Sequence, residues 1–268
     1  MSKNKNNRVI KTFAFILVAI IIVSMLGGIY ALSITFFDLF QSNKTENQLQ
    51  YDYLMSSLEI DLKAVDLEIK LGDKLLVSTN NKYVTTYQND NNIIIQEKKH
   101  SLLSKDDDKV IVTIPNNFLF DIVEIEVDSG SVNIDKLETK RLNLDLGSGT
   151  SKINNLLVTD KTKIDCGIGK FHLNNGNLNN LKLDTSVGDT ILNTKITGNS
   201  NIETDIGKLE LNLIGSLNDY ELTIDKNIGS IKLNNVSLKD KSVIGTGNNY
   251  LLIEGGIGPT IITTLESK

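Results

Sequence analysis

The stretch Glu126–Ile134, EVDSGSVNI, places an acidic residue four positions before a glycine and an aliphatic residue four positions after it. The same frame returns six more times, and most successive copies are roughly 19–20 residues apart. The acids that begin the further copies are Asp145, Asp165, Asp184, Glu203, Asp225 and Glu254. Self-similarity at a fixed short period is typical of a solenoid or a repeat array, so this repeat decides the fold.

The residues on both sides of each glycine alternate between apolar and polar side chains. An aliphatic residue precedes every acid, and the fourth residue after each glycine is always apolar. The residues that precede the acids are Ile125, Leu144, Ile164, Leu183, Ile202, Ile224 and Ile253. A period of two is typical of strands, and glycine tolerates positive φ and close backbone approach. Each repeat is therefore predicted to be two short strands that meet at a bend.

The predicted fold class is all-β, a parallel β-solenoid similar to a β-helix, with about 19–20 residues per repeat and one transmembrane helix before it. A unit of this size cannot bury its apolar residues alone, whereas stacked units share a core and pair their backbones. An antiparallel β-sandwich also has short alternating strands and is the alternative. A sandwich, however, gives no reason for the same residue types to recur in register.

Less regular sequence lies at both ends of the repeat. The segment Glu68–Leu76 matches the frame, with Gly72 at its centre, and is interpreted as an early copy. Residues 58–115 are predicted to form irregular N-terminal coils that close one end of the stack, because open strand edges promote aggregation. At the other end, the longer final interval predicts an insertion near residues 239–249.

The N-terminal sequence predicts a membrane anchor. Residues 1–11 contain four basic residues and no acid, and residues 12–37 carry no charged side chain. About 20 apolar residues span a bilayer, and a basic flank marks the cytoplasmic side. We therefore expect a cytoplasmic tail over 1–11, a single-pass transmembrane helix over 12–37, a juxtamembrane linker over 38–57, and an extracytoplasmic β-repeat domain over 58–268, held at the cell membrane.

A cleaved signal peptide is the alternative to this anchor. Signal peptides have an apolar core of about 7–15 residues and a small residue at the cleavage site, and Ala31 could serve as that residue. The apolar run continues beyond it through Phe36 and Phe37. This longer run favours an uncleaved anchor.

The charge of the repeat region argues against nucleic-acid binding. The chain has a formal net charge of −5, and the basic tail contributes +4, so residues 38–268 carry −9. An acidic domain repels nucleic acid and anionic lipid. The predicted partners are therefore the membrane, through the anchor, and a protein or cell-wall component, but no nucleic acid.

Few side chains in this sequence suit catalysis or metal binding. Cys166 is the single cysteine, so no intrachain disulfide forms, and we expect it to be a small buried side chain. The two histidines, His100 and His172, fall in different regions, and His172 belongs to an outward column. No catalytic, cofactor-binding or metal-binding residue is predicted, and no cofactor. Asparagine pairs such as Asn154–Asn155 and Asn174–Asn175 are expected to form ladders at turns.

The acids of the repeat should form a column along the stacked coils. Because stacked like charges repel, one hypothesis is a ladder of cations held by carboxylate oxygens. The other hypothesis is a solvated face whose carboxylates accept hydrogen bonds from backbone N–H groups near the bend. The second is favoured, because the frame does not match the glycine-rich nonapeptide of calcium-binding β-rolls.

Several of these features together resemble a known family. They are the acid-x-x-x-Gly repeat, the segments LEIDLKAVDLEIKLGDKLLV and VIVTIPNNFLFDIVEIEVDSGSVNI, and the N-terminal anchor. The resemblance is to the bacterial "putative adhesin" family of β-strand-repeat cell-envelope proteins, a domain of unknown function, and it covers about residues 58–262. It implies a membrane-anchored, extracytoplasmic, solenoid-like domain. The family has no established catalytic residues, so none is transferred to this chain.

These observations favour a non-enzymatic, membrane-anchored cell-envelope protein that presents a β-solenoid surface for adhesion or for envelope-stress interactions. A polysaccharide-processing β-helix enzyme and a cation-binding structural spacer are the alternatives. Carbohydrate sites favour aromatic platforms, and the sequence contains no tryptophan. The expectation is therefore a binding or structural role.

Overall fold

The computed structural model describes residues 47–51, 54–98 and 108–265, within one structural unit, residues 46–268. The described elements are strands, apart from one short 3-10 helix at Leu217–Asp219. The strands are β1 (Asn47–Gln50), β2 (Ser57–Leu62), β3 (Asp66–Gly72), β4 (Leu76–Thr79), β5 (Val84–Asn89), β6 (Asn92–Glu97), β7 (Lys109–Pro115), β8 (Leu119–Ser129), β9 (Val132–Asn179), β10 (Leu181–Thr197), β11 (Asn199–Ile206), β12 (Leu209–Ile214), β13 (Tyr220–Ile228), β14 (Ile231–Leu233), β15 (Val236–Ser237), β16 (Ser242–Ile244), β17 (Asn249–Ile257) and β18 (Thr260–Leu265).

Neighbouring coils of the regular region pair in parallel and in register. Strand β8 pairs with the start of β9, and β10 pairs with the later part of β9 and with both β11 and β12. Leu183, for example, lies between Ile164 of one coil and Ile202 of the next. This parallel register confirms the β-solenoid, and the antiparallel sandwich is wrong for these coils.

The core consists of the apolar columns that the repeat predicts. The aliphatic residues before the acids are all buried, with at most 2% exposure. The residues four positions after the glycines are also buried, and they are Ile134, Ile153, Leu173, Leu192, Leu211, Leu233 and Ile262. Burial of one aliphatic side chain contributes about 1.5–3 kcal/mol, so the stacked columns stabilise the whole solenoid.

The order of coils at the N-terminal end differs from the order in the sequence. Strand β2 lies between β6 and β8, and β3 lies between β7 and β9. The first coil of the chain therefore packs directly on the regular stack, and the later coil β6–β7 lies outside it. The end is then closed by β5, antiparallel to β6, and by β4, antiparallel to β7.

This arrangement corrects the early copy of the repeat. Asp61, rather than Glu68, is in register with Glu126, and Glu68 pairs with Asn133. Gly130 packs against the backbone carbonyl of Val65, so a valine occupies the glycine position of this coil. The alignment on Gly72 was wrong because β3 also alternates between apolar and polar residues. A strand with this period matches the repeat equally well in more than one register, so the pattern alone did not fix the register.

The start of the folded unit also differs from the expected linker boundary. Strand β1 pairs antiparallel with β4, and Tyr51 and Met55 belong to the hydrophobic core. Part of the segment 38–57, which the sequence predicts to be a linker, is therefore part of the fold. The residues 58–115, expected to be irregular coils, form two parallel coils, β2–β3 and β6–β7, together with the antiparallel closing strands β4 and β5.

The C-terminal end is interleaved in the same way. The last coil, β17–β18, lies between β11–β12 on one side and β13–β14 on the other. In the sequence, β15 and β16 lie between β14 and β17. Strand β15 runs antiparallel to β14, and β16 runs antiparallel to β13. The expected insertion near 239–249 is this closing segment, after which the chain returns into the stack.

The predicted cytoplasmic tail and transmembrane helix, residues 1–37, lie outside the described residues. Within the described ranges, no helix is long and apolar enough to cross a membrane. The anchor therefore stays a prediction from the sequence.

Candidate functional site

The bend of each coil is built from a column of glycines that touch one another. Their φ angles lie between +127° and +149°, a region that L side chains rarely adopt. A Cβ added at most of these glycines would overlap the carbonyl oxygen of the glycine in the adjacent coil. In stack order the column is Gly130, Gly149, Gly169, Gly188, Gly207, Gly258 and Gly229. Glycine recurs at this position because the backbone of each coil packs directly on the backbone of the next coil.

A row of exposed aliphatic side chains lies immediately before five of these glycines. We name it the aliphatic stripe, and in stack order it consists of Ile168, Val187, Ile206, Ile257 and Ile228. Each member is paired in register with the next, and their exposed fractions range from 42% to 62%. Single exposed apolar residues are ordinary, whereas a contiguous exposed row of this kind is a candidate interaction surface.

The solenoid itself does not require aliphatic residues at this position. In the two coils before the stripe, the residue that precedes the glycine is Ser129 or Ser148, on a bend of the same kind. Sequence reasoning missed the stripe, because an aliphatic residue near a strand end resembles a core residue. The sequence does contain one indication of the stripe: the residue before the repeat glycine changes from serine to an aliphatic residue from Ile168 onward.

The acids lie on the outer face beside the bend, as one continuous acid column. In stack order it consists of Asp61, Glu126, Asp145, Asp165, Asp184, Glu203, Glu254 and Asp225. An acid and the stripe residue of the same coil are three residues apart in an extended chain, so their Cα atoms are at most about 10 Å apart. The column therefore runs alongside the stripe.

Lysine side chains neutralise part of this column. Lys63 Nζ lies 2.9 Å from Asp61 and 3.1 Å from Glu126. Lys182 Nζ lies 2.6 Å from Asp184, and Lys163 pairs with Asp165 in the same way. In the described chain the partners are thus side chains two residues away or in neighbouring coils. These carboxylates lie on the outer face, as the favoured hypothesis expects, but among the described residues side chains rather than backbone N–H groups donate to them.

Asp145 and the acids of the coils at the C-terminal end of the stack have no lysine partner among the described residues. In the described residues, no lysine forms an ion pair with Glu203, Glu254 or Asp225, although Asn201 Nδ2 donates to Glu254 Oε2 at 3.1 Å. Further along the column, burial and the neighbouring Asp165 and Glu126 raise the pKa of Asp145. At Asp145 the charges of the neighbouring carboxylates therefore add to the effect of burial.

The acid column gives a prediction about cations. Among the described residues, no group of three or more acidic, histidine or cysteine side chains is placed to hold a metal ion. We expect excess chelator and millimolar calcium to leave the melting temperature unchanged to within about 1 °C, because no site adds binding energy to the folded state. Thermal unfolding followed by circular dichroism measures this. A rise with calcium beyond that of sodium chloride at matched ionic strength would contradict it.

The remaining sequence-predicted residues have structural positions. Cys166 is half-buried against the core, and its burial, followed by the charges of Asp165 and Asp145, raises the pKa of the thiol to about 12. The thiolate, which is the nucleophile, is thus suppressed at neutral pH. His172 lies on the outer face, in register with Ile191, and His100 lies outside the described residues.

The asparagine pairs form the expected ladders. Asn174 Nδ2 donates to Asn154 Oδ1 at 2.7 Å, and Asn175 Nδ2 donates to Asn155 Oδ1 at 3.0 Å. Each of these bonds joins residues of adjacent coils. The asparagines therefore hold the turns of the solenoid in register and have a structural role.

A groove of about 610 Å³ crosses the outer face near Tyr250. Tyr250 is half exposed, and the groove is also lined by Lys182, Asn201 and Leu252. Glu221 is the single carboxylate among its lining residues. Glycoside hydrolases use a pair of carboxylates on the two sides of the scissile bond, so this groove lacks the arrangement that sugar hydrolysis needs.

The chain is similar to several solved structures. Similar solved structures include a "putative cell adhesion protein" from Clostridium sporogenes, with 12% identity, 82% of this chain and 99% of that chain covered, and a TM-score of 0.37. "Putative adhesin" structures from Bacteroides fragilis (12% identity, 83% and 98% covered, TM-score 0.31) and Parabacteroides merdae (14% identity, 84% and 96% covered, TM-score 0.31) are also similar.

No curated protein matches the chain. A family model, described as Toastrack DUF4097, matches residues 55–243. This range includes β2 through β15 and contains most of the glycine column and of the acid column. Because the match covers more than half of the chain, the protein belongs to the Toastrack DUF4097 family.

Proposed function

We propose that this protein is a non-enzymatic component of the cell envelope that binds a partner along the bend edge of its solenoid. The aliphatic stripe is the observation that carries the proposal. Its members are exposed in successive coils, at a position where Ser129 and Ser148 show that the bend accepts a polar residue. Exposing this apolar row to water is unfavourable, and a partner that covers it removes the cost.

Site-specific photocrosslinking in cells tests this binding role. A photoreactive amino acid placed at Ile206, in the middle of the stripe, should give a discrete crosslinked product, because a bound partner lies over this side chain. The matched control is Val243, which is 64% exposed on the closing strand β16 and lies outside the stripe. Absence of a product at Ile206, or the same products at both positions, would refute the binding role.

The placement of the protein is part of the same proposal. The four basic residues before the apolar segment 12–37 support an N-terminus in the cytoplasm and a β domain outside. Protease added to intact protoplasts should then remove the β domain and leave a small membrane fragment, as detected by immunoblotting with an N-terminal tag. Protection of the whole chain would contradict this orientation, and a mature N-terminus at Leu32 would show a cleaved signal peptide.

A further inference from the structure

We propose that the occupant of this edge is a basic amphipathic helix of a partner protein, lying along the stack axis over the last three coils. The inference rests on the proposed function and adds the chemistry of the partner. Its apolar side would contact the aliphatic stripe, and its lysine or arginine side chains would face the acid column.

The charges of these coils select a basic partner. Ile206, Ile257 and Ile228 follow one another in register. Four carboxylates stand in the same coils within three residues of them, namely Glu203, Asp205, Glu254 and Asp225, and none forms an ion pair with a lysine in the described ranges. In earlier coils, by contrast, lysines pair with the acids of the column, and among the described residues only Asp145 there has no lysine partner. Two lysines of the same coils do not cancel these charges at the surface, because Lys226 is buried with its Nζ 3.4 Å from Gly256 O and Lys208 pairs with Glu210. The exposed edge is therefore apolar and carries an excess of negative charge where the stripe ends.

The spacing of the coils selects a helix that runs along the stack. Adjacent coils are about 4.8 Å apart, and successive turns of a helix are about 5.4 Å apart, so one helix turn can meet each coil over a short distance. In a partner strand that runs along the stack, residues on the same face are about 6.6 Å apart, so their spacing does not match the spacing of the coils. A helix about 10–12 Å wide can also cover the stripe and the acid column together.

The bare bend provides the space for such a helix. Immediately after the stripe, Gly207, Gly258 and Gly229 carry no side chains, so no side chain at this position blocks the approach of a helix to the stripe. Helices that bind grooves in this way present apolar residues at positions i, i+3, i+4 and i+7. Other occupants fit less well, because anionic lipid is repelled by the carboxylates and a second copy carries the same negative edge.

Peptide binding to the full-length protein in neutral-lipid nanodiscs tests the inference. The probe is a fluorescent helical peptide of about 14 residues, with leucines at i, i+3, i+4 and i+7 and lysines along one flank. A shuffled peptide of the same composition and a peptide with glutamate in place of lysine are the peptide controls. Empty nanodiscs give the background, and fluorescence anisotropy gives the Kd.

Two double variants separate the apolar and the charged contributions. We expect Ile206→Ser with Ile257→Ser, and Glu203→Gln with Asp225→Gln, each to weaken binding of the basic peptide at least about tenfold, a loss of about 1.4 kcal/mol. The matched controls Val243→Ser and Glu124→Gln are exposed elsewhere and should leave the Kd unchanged. Unchanged melting temperatures verify that all four variants fold.

Three results would refute the proposal of a basic helix. The first is equal binding of the shuffled peptide, which indicates charge attraction alone, and the second is an equal Kd for all variants. The third is self-association that Ile206→Ser abolishes in mass photometry, which identifies a second copy of the chain as the occupant. These failures are distinct from failure of the binding role. A crosslink at Ile206 in cells without peptide binding retains the binding role and rejects the basic helix.

Discussion

Gly188→Ala should prevent folding or lower the free energy of unfolding by more than about 4 kcal/mol. Gly188 has a φ of +143°, which alone costs an alanine about 1–3 kcal/mol. The added Cβ would also overlap the carbonyl oxygen of Gly169 in the adjacent coil. Because that contact is with backbone, relief requires two coils to separate, and the hydrogen bonds between them are lost.

The matched control for this variant is Ser186→Ala in the same bend. Ser186 is exposed, so its replacement should change the free energy of unfolding by less than about 0.5 kcal/mol. Urea denaturation followed by circular dichroism measures both variants. If Gly188→Ala costs no more than Ser186→Ala, the glycine column is not the constraint that holds neighbouring coils together.

The repeat allowed the coil and its core to be predicted, but not the order of the terminal coils. Ile202 packs beside Ile253 of the last coil, whereas Ile224, the next copy along the chain, lies one coil further out. Every coil presents the same apolar columns to its neighbours. An exchange of two adjacent coils therefore leaves the local pattern unchanged, and periodicity contains no information about it.

The candidate site was predicted in part. The acids could be aligned from the sequence, because an acid at a fixed distance from a glycine is a strong pattern. Asp61 escaped this alignment, because Val65 replaces the glycine in its coil. Residue type alone does not separate Ile168, which is exposed, from Leu173, which is fully buried five residues later. Only the geometry of the bend makes that distinction.

Leu183→Asp should also destabilise the domain strongly, by more than about 4 kcal/mol at neutral pH. Leu183 has 0% exposure and lies between Ile164 and Ile202 in the continuous core. An aspartate here would lose the apolar contacts of the leucine and would place an unpaired carboxylate among aliphatic side chains. Removal of the side chain alone, in Leu183→Ala, should cost about 2–5 kcal/mol.

The dependence on pH separates the buried charge from the lost packing. Burial would raise the pKa of the new carboxyl above its value in the unfolded chain, so the folded variant binds more protons. The deficit of Leu183→Asp relative to Leu183→Asn should therefore shrink as the pH falls through that raised pKa. The outward variant Lys152→Ala, at an exposed position, should change stability by less than about 0.5 kcal/mol. Equal losses for Leu183→Asp and Lys152→Ala in urea denaturation would refute the assignment of inward and outward columns, and with it the shared core on which the stacking of the coils depends.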